Sequence, residues 1–122
     1  MPRSTSATLR DHLDPKLKVW ITWDGTFLMG PRYLRFLAAV DESGTIRAAG
    51  QEVGWSYRTC LNRIRRMERA LGAPVLVTTR GGRGGGGARL SADARRLVRV
   101  FARWQQDVAR LSRRAFRSAL SR

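Results

Sequence analysis

A mainly α fold with a small β component, a winged helix-turn-helix, is the architecture this sequence predicts, and three observations in residues 41–90 predict it. Thr45 and Ser56 each stand directly before an apolar series at helical spacing, where a hydroxyl caps the first free backbone N–H groups of a helix. Only Gly54-Trp55-Ser56 separates the two helices so defined, and a turn this tight presents the second helix of such a unit to the DNA major groove. A β-branched run, Val75 to Thr79, and a short return, Ala88 to Leu90, then enclose a loop of glycines and arginines, the signature of a wing.

The elements follow in chain order. Residues 1–15 are polar, mixed in charge and without period, and read as a flexible tail. Residues 16–90 are read as one winged helix-turn-helix, the candidate DNA-binding domain. It opens with an N-terminal β-hairpin, because Asp24-Gly25 lies between two β-prone runs and this dipeptide supplies the positive φ angles of a tight hairpin turn. Trp20, Trp23 and Phe27 would need a surface to pack on, since a lone hairpin is marginal in water. Gly30-Pro31 starts a helix with proline where its missing N–H is harmless, and Tyr33, Leu34, Leu37 and Val40 supply its buried stripe. That helix ends near Glu42, and Ser43-Gly44 leads into the helix-turn-helix.

In the second helix of that unit Tyr57, Cys60, Leu61, Ile64, Met67 and Leu71 gather on one face at about 100° per residue. The opposite face carries Arg58, Thr59, Asn62, Arg65, Arg66 and Arg69. Arginine forks onto the O6 and N7 acceptors of guanine, and asparagine onto N6 and N7 of adenine. This face therefore suits a reader, although a solvated basic face has the same composition. Gly72 and Pro74 end the helix. The segment from Arg80 to Gly87 lacks the GK[ST] of a phosphate loop. It reads as a wing that lays backbone N–H groups and Arg83 against phosphate, with a flexible linker as the alternative.

Ser91 caps the last helix, predicted over Ala92 to Leu120, a rod of about 43 Å at about 1.5 Å per residue. Leu90, Ala94, Leu97, Phe101, Trp104, Val108, Leu111 and Ala115 alternate in steps of four and three along it, a heptad seam. Residues 91–122 are accordingly read as a dimerisation helix acting through Leu97, Phe101, Trp104, Val108 and Leu111. Packing of its first half on the chain's own core is the alternative.

Composition narrows the function classes. The 122 residues carry 24 Lys and Arg against 9 Asp and Glu, a formal charge of +15, which a polyanion would offset. All the bases but Lys16 and Lys18 are arginine. With His12 as the one histidine and Cys60 as the one cysteine, the chain assembles neither a zinc site nor a Cys-His or Ser-His-Asp catalytic set. No enzyme activity, metal or cofactor is expected. Cys60 lies on an apolar face and reads as a buried small hydrophobe. The longest apolar runs are only a few residues, so no signal peptide or membrane span is predicted. A cytoplasmic, nucleoid-associated location is the expectation.

The stretches SGTIRAAGQEVGWSYRTCLNRI and VLVTTRGGRGGGGARLS closely resemble the N-terminal DNA-binding domain of ModE-type molybdate-responsive regulators, a winged-helix group related to LysR-type activators. The likeness runs from about Lys16 to Ser118. Its most specific parts are Gly54-Trp55-Ser56-Tyr57-Arg58, matching the family's G-x-S-Y, and the GGRGGGGARL wing before a small hydroxyl residue. The resemblance implies a homodimer whose recognition helices enter successive major grooves of a palindromic operator. Cys60-Leu61 departs from the family's Ala-Trp. Full-length relatives continue into oxyanion-binding domains, so molybdate sensing is not expected of these residues.

The sequence thus points to a sequence-specific transcriptional regulator with double-stranded DNA and itself as partners. Tyr57, Arg58, Thr59, Asn62, Arg63 and Arg66 face or approach the groove, Arg47 and Ser56 lie where helix N-termini meet phosphate, and Arg83 reaches from the wing. A non-specific nucleic-acid-coating or RNA-binding protein, and a helix-mediated interaction module controlling another regulator, are the competing classes.

Overall fold

The computed structural model describes residues 5–80 and 86–122. Its elements are α1 (Thr5–His12), β1 (Ile21–Trp23), β2 (Thr26–Met29), α2 (Pro31–Ser43), α3 (Ile46–Val53), α4 (Tyr57–Leu71), β3 (Leu76–Thr79), β4 (Gly87–Leu90) and α5 (Ala92–Leu120). Two antiparallel pairs, β1 with β2 and β3 with β4, flank the helices. This is the winged helix-turn-helix that the capping pattern predicts.

Local chemistry sets the boundaries. Thr45 Oγ1 accepts the Ala48 N–H at 3.1 Å, Ser56 Oγ the Thr59 N–H at 3.1 Å and Ser91 Oγ the Ala94 N–H at 3.1 Å, each satisfying a donor that the first helical turn leaves free. Gly54 and Gly72 close α3 and α4 at φ of 75° and 69°, a left-handed conformation that favours glycine. In the first hairpin Asp24 and Gly25 both have positive φ, 48° and 82°, as a tight turn matched to strand twist requires.

The core draws on nearly every element. Phe36, Leu37 and Val40 of α2, Ala49 and Val53 of α3, and Cys60, Ile64 and Met67 of α4 are buried together with Leu28, Met29, Val75, Leu90, Ala94 and Phe101. Three sequence expectations are corrected here. The hairpin is anchored by Leu28 and Met29 on β2, while Trp20, Trp23 and Phe27 stay 56%, 45% and 42% exposed; the bulge between Ile21 and Thr22 ends the regular alternation before Trp20. The N-terminal segment is helical over Thr5–His12 and lies against α5, where polar composition predicts loose chain. Phe101 is fully buried in the chain's own core, so it is unavailable to a second copy, whereas Trp104 and Leu111 of the same seam remain 39% and 57% exposed.

The β3–β4 pair is bound at its root. Ala88 N–H donates to the Gly44 carbonyl at 2.7 Å, Ser91 N–H to the Val75 carbonyl at 2.9 Å, and Ser91 Oγ to the Pro74 carbonyl at 2.8 Å. Glu68 Oε2 accepts the Val75 N–H at 2.8 Å. The wing is thereby fixed to both the start of α3 and the end of α4. Arg83 lies outside the described residues.

Candidate nucleic-acid interface

Helix α4 presents a basic crest between two β-walls. Its apolar positions turn inward, which leaves Arg58, Asn62, Arg65, Arg66 and Arg69 exposed on the side opposite Cys60 and Ile64. One flank meets the hairpin, where Arg66, Arg69 and Ala70 share an open cleft with Trp23, Asp24 and Phe27. The other flank meets the wing across a cleft of about 520 Å³ bounded by Thr45, Arg47, Tyr57, Leu61, Thr78 and Gly87. Among the described residues no acid lines this second cleft, and arginine is the donor that both phosphate oxygens and guanine edges accept bidentately.

At the N-terminus of α4 the side chains hold each other. The Arg47 guanidinium carbon sits 4.6 Å from the Tyr57 ring centroid, a cation–π distance that keeps a cation beside the helix start. Ser56 Oγ, besides accepting the capping N–H, donates to Thr59 Oγ1 at 3.0 Å. Ser56 is therefore committed to the cap, with its hydroxyl and that of Thr59 hydrogen-bonded to each other.

Among the sequence-predicted residues, Arg47, Tyr57, Arg58, Asn62 and Arg66 come together as exposed side chains on one surface, with Thr59 half-buried at its edge. Arg63 does not join them. It is half-buried, with its guanidinium carbon 6.0 Å from the Trp55 ring centroid. Its position on the helix edge turns it toward the hairpin. Arg65 and Arg69 belong to the crest on the same helical spacing that marks Asn62, and this spacing is the signal that identifies them.

Other chemistry has little foothold. Among the described residues no group of three His, Cys, Asp or Glu is placed to hold a metal ion, and no helix is long and apolar enough to cross a membrane. Cys60 is wholly buried, and burial pushes its thiol above the ordinary value, which disfavours the thiolate.

Comparison with known proteins agrees with this geometry. Residues 31–95 match the family described as bacterial regulatory helix-turn-helix protein, lysR family. The molybdenum-pterin-binding protein MopB of Rhodobacter capsulatus is 36% identical over 83 residues, covering 68% of this chain and 31% of MopB. The molybdenum transport protein ModE of Azotobacter vinelandii is 34% identical over 94 residues, covering 74% of this chain and 34% of that protein. The chain thus spans about a third of the length of these curated relatives. Among solved structures, the CbnR_DBD–DNA complex superposes with a TM-score of 0.56 at 25% identity, covering 72% of this chain and 95% of that one.

Proposed function

Because the chain belongs to the LysR family of bacterial regulatory helix-turn-helix proteins, with ModE-like relatives, we propose that it is a sequence-specific DNA-binding transcriptional regulator that acts as a homodimer on a palindromic operator. The observation that carries this reading is the crest of α4. A capped helix, held by a tight turn and flanked by a hairpin and a wing, exposes Arg58, Asn62, Arg65, Arg66 and Arg69 with Cys60, Ile64 and Met67 of its apolar face buried in the core. Arg58, Asn62 and Arg66 read base edges. Tyr57 and Thr59 complete the helix start, while Arg47, stacked on Tyr57, takes a phosphate. Arg83 is assigned a phosphate contact on its charge and its place among the wing glycines.

Dimerisation is proposed through the outer part of α5. Val100, Trp104 and Leu111 share one side of that helix and are 59%, 39% and 57% exposed, with Leu97 and Val108 half-buried beside them. An apolar strip of this kind on a rod is covered economically by its own copy. The residue boundaries of the reading are 16–90 for the DNA-binding domain and 91–122 for the dimerisation helix. Neither catalysis nor a molybdate response is assigned to these residues.

Selection of bound fragments from genomic DNA, followed by sequencing, tests the proposal. A recurring inverted repeat is the expected result. Unbiased recovery of fragments would favour a non-specific coating protein instead. With the operator in hand, micromolar molybdate is expected to leave its affinity unchanged at constant ionic strength.

A further inference from the structure

We infer that a third cleft, between the first hairpin, the start of α2 and the turn before α4, is a binding site for a small aromatic anion, a planar ring carrying a carboxylate, with Arg63 as its charge partner. The cleft has a volume of about 340 Å³, at the small end of the range for ligand pockets, and so suits one or two rings. Trp20 and Phe27 of the hairpin segment, Tyr33 of α2 and Trp55 of the helix-turn-helix turn form its aromatic walls. These rings are already arranged edge to face, Phe27 to Tyr33 at 5.3 Å and Tyr33 to Trp55 at 5.1 Å between centroids, the packing that adjacent rings prefer.

The charge of the ligand follows from the rest of the lining. Lys18, Arg32 and Arg63 are its ionisable groups other than Tyr33, and no acid is among them. Aromatic walls alone would suit a cation, but three cations repel one. A neutral apolar ring would leave those charges unanswered. The position of the anion follows from Arg63, whose Nε is buried and has no hydrogen-bond partner among the described residues. Buried N–H groups are nearly always satisfied. The guanidinium of Arg63, which lines the cleft, suits a carboxylate, since a carboxylate accepts two parallel N–H bonds from one guanidinium. Because Arg63 lies on α4 between Asn62 and Arg66, a ligand held there braces the hairpin against the proposed reader helix. That regulatory consequence rests on the DNA-reading proposal; the binding itself does not.

The test is benzoate titration of the isotope-labelled protein, read on the indole N–H resonances of its four tryptophans. Saturable shifts are expected for Trp20 and Trp55, with Trp104, outside the cleft lining, as the unmoved control. Cyclohexanecarboxylate, benzamide and inorganic phosphate each lack one required feature and are expected to bind markedly more weakly. Arg63→Met keeps the aliphatic stem against Trp55 and should weaken benzoate by about tenfold or more, the scale of a charge-assisted hydrogen bond. Lys18→Met, at an exposed position, should weaken it in the same direction, with an unchanged Trp104 signal reporting an intact fold in both variants. Absence of saturable shifts, equal affinity for phosphate or cyclohexanecarboxylate, or wild-type affinity in both variants would overturn the proposal.

Discussion

Gly50 shows how tightly single residues set the geometry of the helix-turn-helix. A Cβ built there would lie 2.5 Å from Cys60 Sγ and 2.9 Å from the Trp55 carbonyl oxygen, far inside van der Waals contact. The close approach of α3 to α4 thus requires glycine on one side, and a small buried side chain fits on the other. This gives a physical account of Cys60, where the resembling family carries alanine. Gly50→Ala is expected to destabilise the fold by about 1–3 kcal/mol, the usual scale of overpacking, in urea unfolding. Adding Cys60→Ala should recover only part of the loss, because the Trp55 carbonyl remains in the way.

Residue chemistry that acts within one turn of chain was legible in the sequence. The caps at Thr45, Ser56 and Ser91, the Asp24-Gly25 turn and the helix stops at Gly54 and Gly72 all depend on neighbours a few positions away. Arg63 was not legible in the same way. Its spacing places it at the edge of the α4 crest, and only the hairpin packed beside that edge leaves it half-buried near Trp55.

Among elements, the joint between α2, the wing and α5 runs through Asp41. Its Oδ1 accepts the Leu90 N–H at 3.3 Å and lies 3.5 Å from Arg95 Nη2. The ion pair is half-exposed and contributes little by itself; the backbone bond matters more, since it leaves a strand-end donor unpaired when lost. Asp41→Ala should cost about 1–2 kcal/mol, and faster amide exchange at Leu90 than at Leu76 would localise the effect to the wing root.

Helix α5 divides at Phe101, a division the seam does not reveal. Ala94, Phe101, Trp104 and Leu111 share one spacing in the sequence, but Ala94 and Phe101 are buried while Trp104 and Leu111 stay exposed, so the same pattern serves the monomer core and then an open face. Likewise α1 gains its partner α5 from the opposite end of the chain, beyond the reach of local composition. Phe101→Glu should therefore abolish cooperative unfolding by burying an unpaired charge. Trp104→Glu with Leu111→Glu should leave a folded monomer, as measured by circular dichroism and sedimentation equilibrium. A wild-type monomer at tens of micromolar would contradict the dimer proposal.

At the scale of the whole molecule, basic charge is spread over both α4 and the exposed arginines of α5, so charge and base reading have separate roles. The +15 formal charge supplies affinity for any polyanion, with a strong salt dependence, whereas discrimination between sequences requires donors and acceptors, charged or neutral, set rigidly against base edges. Asn62 is the residue that separates the two. It is exposed on the crest between Arg58 and Arg66, its amide matches both edge atoms of adenine, and it carries no charge. Arg47 is the complementary case, a cation at a helix start. Arg47→Ala should weaken operator and random duplex alike and make the slope of log K against log salt shallower by about one unit.

The most direct measurement is a fluorescence anisotropy titration of the wild type and Asn62→Ala, on the selected operator and on a random duplex, at several salt concentrations. Asn62→Ala should lose about 1–3 kcal/mol on the operator, change little on random DNA and keep the wild-type salt slope. Equal loss on both duplexes, or none on either, would contradict the assignment of α4 as the element that reads sequence.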